Sequence, residues 1–218
     1  MPTHPLFPTP LYINPECAAQ NQLDLSSVNQ RLLDLEWEKV KNPDPDYVPH
    51  GTTSVNKNIL SLPQFADVAS AIDNEMRQYV FNDLGVDSRG VTLHCNRSWS
   101  MYHERGDHSR QHCHENCLWS GIFYTQVPEN AGGITLFQYA SHYTWILPAI
   151  KPRIRKSTQW TANQTYIDVL PGWIVIFPAF IQHGTPMCDS NDPRLNVVFN
   201  YTMKGTFGDD YYDYQQIS

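Results

Sequence analysis

Apolar positions along this chain change their spacing near Gly90. Upstream, they recur at helical intervals. Leu25, Val28, Leu32, Leu35 and Trp37 predict a helix within Leu23 to Val40, with Asp24 or Ser26 as its cap. Phe65, Val68, Ala69, Ile72, Met76, Tyr79 and Val80 fall on one face of a second helix. Ser61-Leu-Pro-Gln64 offers that helix a capping box with proline in its first turn, and Gly85 stands where a C-terminal cap belongs. Between the two helices, Asn42-Pro-Asp-Pro-Asp-Tyr-Val-Pro49 must be loop, because proline donates no backbone N–H.

Downstream, short β-rich runs take over. They are Val91 to Cys95, Leu118 to Val127, Ile134 to Phe137, Tyr166 to Leu170, Trp173 to Phe177 and Leu195 to Met203. Glu129-Asn-Ala-Gly-Gly133, Pro171-Gly172 and Asp189-Ser-Asn-Asp-Pro193 supply turns between them. Helices followed by short strands predict an α+β, mainly β fold whose working end is a sandwich or barrel. A single domain over 1–218 is expected, with lead-in and supporting helices in 1–89, a β core in 90–204 and an acidic, Tyr-rich tail in 205–218.

Composition narrows the class. Hydrophobic residues make up 41% of the 218, enough for a packed core. No apolar run approaches the ~20 residues of a membrane span, and the N-terminus lacks the pattern of a signal peptide. A formal net charge of −7 argues against nucleic acid as a partner. The basic run Lys151-Pro-Arg-Ile-Arg-Lys156 reads as a solvated loop. Five scattered cysteines make no disulfide framework, so a reducing, cytoplasmic setting is expected.

Candidate chemistry concentrates in three places. His112 and His114 stand at i and i+2, which in a strand project from one face and can meet on one metal ion. Pro171-Gly-Trp-Ile-Val-Ile-Phe-Pro178 reads as a buried strand, after which His183 emerges as a metal ligand or as a hydrogen-bonded core histidine. In Arg194-Leu-Asn-Val-Val-Phe-Asn200, alternation puts Arg194, Asn196, Val198 and Asn200 on one face. An arginine there can grip a carboxylate through parallel N–H bonds, or sit in a surface ion pair.

In this order and spacing the three pieces resemble the Fe(II)/2-oxoglutarate-dependent oxygenases. Within them, the resemblance is to a small bacterial and phage group related distantly to prolyl 4-hydroxylases. It spans about residues 90–204. Tyr102-His-Glu-Arg-Gly106 precedes the first metal motif, Ser120-Gly-Ile-Phe-Tyr124 looks like the strand after it, and Phe177-Pro-Ala-Phe-Ile-Gln-His183 like the segment bearing the distal ligand. Arg194 follows eleven residues later. The resemblance implies a double-stranded β-helix (jelly-roll, cupin-like) core. It implies Fe(II) on His112, His114 and His183, with 2-oxoglutarate and O₂ as cosubstrates. Arg194 would hold the cosubstrate, helped by Tyr102, Asn196 and Tyr124. The implied reaction is hydroxylation of a small molecule or protein side chain with release of succinate and CO₂.

One position departs from the usual pattern. His114 stands where most of the superfamily has a carboxylate, and Glu115 is the rival ligand if a bulge turns it inward. Trp99, Trp119 and Trp173 read as core residues before walls of the site. Three other readings compete. A cupin-like three-histidine dioxygenase would work without 2-oxoglutarate. A zinc protein would recruit Cys95, Cys113 or Cys117. A non-enzymatic jelly roll would leave the histidines idle. The substrate is not legible in the sequence, and a homodimeric contact is left open.

Overall fold

The computed structural model describes residues 8–41, 50–138, 161–208 and 215–217, with single positions at 4, 153, 155, 156 and 158. The proline-rich loop 42–49, positions 151, 152 and 154 of the basic run and the acidic tail segment 209–214 lie outside the described residues. Among the described residues, twelve strands form two antiparallel sheets. The larger runs β1 (Tyr12–Asn14), β9 (Ile174–Pro178), β6 (Trp119–Gln126), β11 (Arg194–Phe207), β4 (Val91–His103), β3 (Thr52–Ser54) and β2 (Trp37–Lys39) in that order, with β12 (Gln215–Ile217) also on β11. The smaller runs β5 (Ser109–His112), β10 (Gln182–Thr185), β7 (Ile134–Phe137) and β8 (Gln164–Ile167).

Alternation along the long strands makes two cores. Phe123, Ile174, Ile176, Leu195, Val197 and Phe199 point outward from the large sheet. Helices cover them: α1 (Cys17–Gln20), α2 (Leu25–Leu33) and α3 (Ala66–Arg77) contribute Cys17, Val28, Leu32, Val68, Ile72 and Met76 to that layer. The opposite face carries Ile122, Tyr124, Val175, Phe177 and Val198, which pack with Ile134 of the small sheet. The site opens on this inner side.

The supporting helices differ from expectation in detail. α2 is capped by Asp24, whose side chain accepts from Ser26 N at 3.0 Å, but it stops at Leu33. Trp37 continues the apolar spacing as strand, because pairing with β3 gives its backbone sheet partners and its ring an edge contact with Tyr102 at 5.7 Å. The capping box does not form. The Ser61 hydroxyl donates to Asn58 O instead, two 3₁₀ turns (Ile59–Ser61 and Pro63–Phe65) lead in, and α3 begins only at Ala66. Its apolar face continues into a wider π turn, Gln78–Asp83, closed by Leu84 N to Tyr79 O before Gly85 at φ +70°. Glu75 is buried in this layer, where its carboxylate accepts from Tyr12 Oη at 2.6 Å and Asn14 Nδ2 at 3.0 Å.

Candidate metal centre

β9 is buried along its whole length and ends at Pro178. A turn closed by Ile181 N to Pro178 O then reverses the chain into β10. That reversal carries His183 back beside the core, 4% exposed, directly opposite His112 in the β5–β10 register. His114 lies two residues past the end of β5 rather than within it, and its N–H donates to Ala179 O of the same turn. The ring centroids lie 4.4 Å apart for His112–His183, 5.0 Å for His114–His183 and 5.1 Å for His112–His114. One nitrogen from each ring falls within 4.8 Å of the others.

The protonation pattern suits ligation. His112 Nδ1 is 2.7 Å from Arg110 O and His183 Nδ1 is 3.0 Å from Ile181 O, each the carbonyl two residues back. A carbonyl can only accept, so each Nδ1 carries a proton, and in the neutral tautomer that this selects, Nε2 keeps its lone pair. His114 Nε2 is buried and has no hydrogen-bond partner. Burial, with repulsion from neighbouring His112, pushes His183 down to about 3 and His114 to about 4, so both are neutral near pH 7. Neutral imidazoles with unengaged nitrogens suit a divalent transition metal. Glu115 is exposed, and the converging group contains no cysteine; all five cysteines are free thiols.

The three rings line a cavity of about 620 Å³. Trp99, Met101 and His103 of β4 and Asn196 and Val198 of β11 face it from the large sheet. Trp99 sits 5.6 Å from the His114 ring, so this tryptophan does wall the site. Trp119 belongs to the outer core and Trp173 packs beside the inner one.

Arg194 is fully buried and lies behind this wall. Its Nη1 donates to Gly132 O at 2.9 Å, Ala131 O at 3.2 Å and Gly133 O at 3.4 Å, and Nη2 donates to His103 Nδ1 at 3.0 Å. No carboxylate pairs with it among the described residues, and Nε has no partner. Asn196 is 4% exposed, faces the cavity, and has an unpartnered Oδ1. Tyr124 stands opposite Asn196 in the β6–β11 register, 1% exposed within the inner core.

Tyr102 is a correction. The alternation that aims Met101 and His103 into the cavity turns Tyr102 to the outer core, where it meets Trp37. The residue missed in the sequence is its neighbour His103, 1% exposed, with Nε2 3.3 Å from Ser109 Oγ. Period-two alternation continued from Leu93 and Cys95 would have put it on the outer face; the register shift at Asn96, which is skipped between the Cys95 and Arg97 pairings, switches the faces of β4 and brings His103 inward.

Residues 97–200 match the profile of a family described as "Putative 2OG-Fe(II) oxygenase". Among curated proteins, none matches the chain. Solved structures share its fold. An oxidoreductase of the 2OG-Fe(II) oxygenase family from Burkholderia pseudomallei superposes with a TM-score of 0.62 at 11% identity, over 88% of this chain and 84% of that one. HygX from Streptomyces hygroscopicus, solved with nickel and 2-oxoglutarate, gives a TM-score of 0.58 at 14% identity, over 89% and 83%. A prolyl-4-hydroxylase from Pseudomonas putida gives 0.51 at 11% identity, over 89% and 92%. The two-sheet core is accordingly the double-stranded β-helix of these enzymes.

Proposed function

We propose, from the premise that this chain belongs across residues 97–200 to the Fe(II)- and 2-oxoglutarate-dependent oxygenase superfamily, that it hydroxylates an organic substrate with release of succinate and CO₂. His112, His114 and His183 hold Fe(II), and the observation that carries this is their convergence, one nitrogen of each ring within 4.8 Å of the others, with the Nδ1 atoms of His112 and His183 on carbonyls and His114 Nε2 unpartnered. Bound iron and 2-oxoglutarate supply the activation of O₂ and the oxidising power.

The chain's own contribution is orientation and charge. The carbonyls of Arg110 and Ile181 fix two of the imidazoles in the tautomer that offers Nε2. Arg194 pairs with the distal carboxylate of 2-oxoglutarate. A guanidinium has five N–H donors, and the carbonyls and His103 leave Nε–H and one N–H of Nη2 for an incoming anion. A buried cation without a carboxylate favours such a guest. Asn196 adds a hydrogen bond from the cavity wall, with Tyr124 beside it. The apolar surfaces of Trp99, Ile122 and Val198 keep water from the reacting end.

The test is anaerobic titration of metal-free protein with Fe(II) and then 2-oxoglutarate, following the weak visible absorption that Fe(II) gives with 2-oxo acids. The band is expected in the wild type, absent in His183→Ala and weakened in Arg194→Ala. Iron binding without the band would sink the 2-oxoglutarate reading and leave a cupin-like three-histidine dioxygenase.

A further inference from the structure

The base of the cavity is accounted for by imidazoles and Asn196, but its mouth is not. Among the described residues, four cations, Lys41, Lys57, Arg97 and Arg110, line the cavity with one carboxylate, Glu38. The chain as a whole carries −7, so the described lining of the cavity is opposite in sign to the chain. Glu38 is already divided, 2.5 Å from Lys41 and 3.5 Å from Lys57. Arg97 has no carboxylate partner among the described residues; its guanidinium carbon stands over the Trp99 ring, 5.3 Å from the centroid. Trp99 in turn touches His114. Arg97 therefore stands one aromatic ring from the metal centre.

Lys57 completes the arrangement. Its side chain is 29% exposed, and its ammonium donates to Thr53 Oγ1 at 3.0 Å and to Ser54 O. These neutral acceptors fix the ammonium without cancelling its charge. Burial, and after it the neighbouring Arg97, hold Lys57 below the ordinary lysine range. Lys57 and Arg97 are neighbours, joined through the Ser98 N–H to Lys57 O bond; two such cations lining one concavity repel until an anion enters beside them, and low-dielectric walls focus their field on it. A guanidinium stacked on an indole presents its N–H fork in a fixed plane, the geometry that carboxylates and phosphates accept in pairs. A cavity of about 620 Å³ is also large enough for a small substrate next to a five-carbon cosubstrate.

We propose that Arg97 and Lys57 form the subsite for an oxyanion group, a carboxylate or a phosphate ester, on the small-molecule substrate that this enzyme oxidises. This inference rests on the metal and 2-oxoglutarate reading above. The substrate's charged end is gripped at the mouth, and its C–H bond is presented past Trp99 to the three histidines.

Calorimetric titration of the anaerobic protein, loaded with Fe(II) and 2-oxoglutarate, with phenyl phosphate, phenylacetate and phenylacetamide tests it. The two anions share a shape with the neutral amide, and their phenyl ring suits the apolar wall. At least one anion is expected to bind, more weakly as salt is raised, while the amide does not. Which anion binds separates phosphate from carboxylate. Arg97→Gln and Lys57→Gln are each expected to weaken that binding about tenfold, with the 2-oxoglutarate absorption band unchanged. Equal binding of amide and anions, no anion binding, or undiminished binding by Arg97→Gln would overturn the proposal. So would loss of the 2-oxoglutarate band in Arg97→Gln, because Arg97 would then hold the cosubstrate. Repeating the titration on metal-free protein keeps the two readings apart. Anion selectivity that persists in a wild type unable to bind iron supports the subsite and removes only the proposed reaction.

Discussion

His112 and His183 each commit their Nδ1 proton to a carbonyl two residues back, so ring orientation is set by local chain geometry before any metal arrives. His183→Ala is expected to abolish tight metal binding, measured as metal retained after dialysis against Fe(II) under anaerobic conditions. Arg194→Ala removes a buried guanidinium and leaves the carbonyls of 131–133 without their donor, a loss expected to cost about 3–5 kcal/mol in urea unfolding. His103 has a pH signature of its own. Burial, then the charge of Arg194, pushes it down from 6.5 to about 3, so it stays neutral in the fold. Above the unfolded value it is neutral in both states and contributes no pH dependence. Below it the unfolded chain takes up a proton that the fold refuses, so stability falls with acidification towards pH 3. Between pH 7 and 5 its share of the loss is expected to reach about 2 kcal/mol in urea unfolding, and His103→Gln should remove that share while the buried His114 and His183 keep theirs.

At the scale of elements, β11 and β4 are the frame, paired along most of their lengths. Gly121 of β6 stands opposite Phe199 of β11, and a Cβ there would run into the phenyl ring and stand 3.0 Å from Val175 O. Gly121→Ala is expected to lower stability by about 1–3 kcal/mol in thermal melts, with partial recovery in Gly121→Ala/Phe199→Leu. Strands with apolar alternation were legible in the sequence: Ile134–Phe137 falls where the pattern put it, and the inward face of Asn196, Val198 and Asn200 is as alternation requires. Two of the elements that hold the metal candidates were not. β5 reads Ser-Arg-Gln-His and β10 reads Gln-His-Gly-Thr, four residues each and largely polar, so they carry no hydrophobic period. β4 was read only to Cys95 because Asn96, Arg97 and Ser98 interrupt its apolar run. Tyr102 is placed at the cosubstrate by the family resemblance, and the face switch at Asn96, which alternation does not show, turns it outward and His103 inward. The convergence of His112 and His114 was anticipated through strand alternation, yet His114 reaches the centre from the loop, tethered by Ala179 O.

For the whole molecule, the described elements within the first sixty residues are structural partners of the large sheet. Cys17, Val28, Leu32, Ile59 and Leu60 belong to its outer core, and β2 and β3 extend its edge. A chain lacking residues 1–60 is therefore expected to lose its cooperative thermal transition, followed by near-ultraviolet circular dichroism. Arg194 adds a different kind of connection. It springs from the first residue of β11 in the large sheet and clasps the carbonyls of 131–133, at the threshold of β7 in the small one. A single side chain thus rivets the two sheets together at the closed end of the sandwich. Deuterium uptake should follow that rivet. Amides of β7 and β10 are expected to exchange as slowly as those of early β11 in the wild type, and to become the fastest-labelled strands of the core once Arg194 is replaced. If one arginine both fastens the sheets and meets the cosubstrate's charge, adding 2-oxoglutarate to the metal-loaded protein should further slow exchange in β7, which holds none of the three histidines, so that ligand occupancy is written into the rigidity of the barrel.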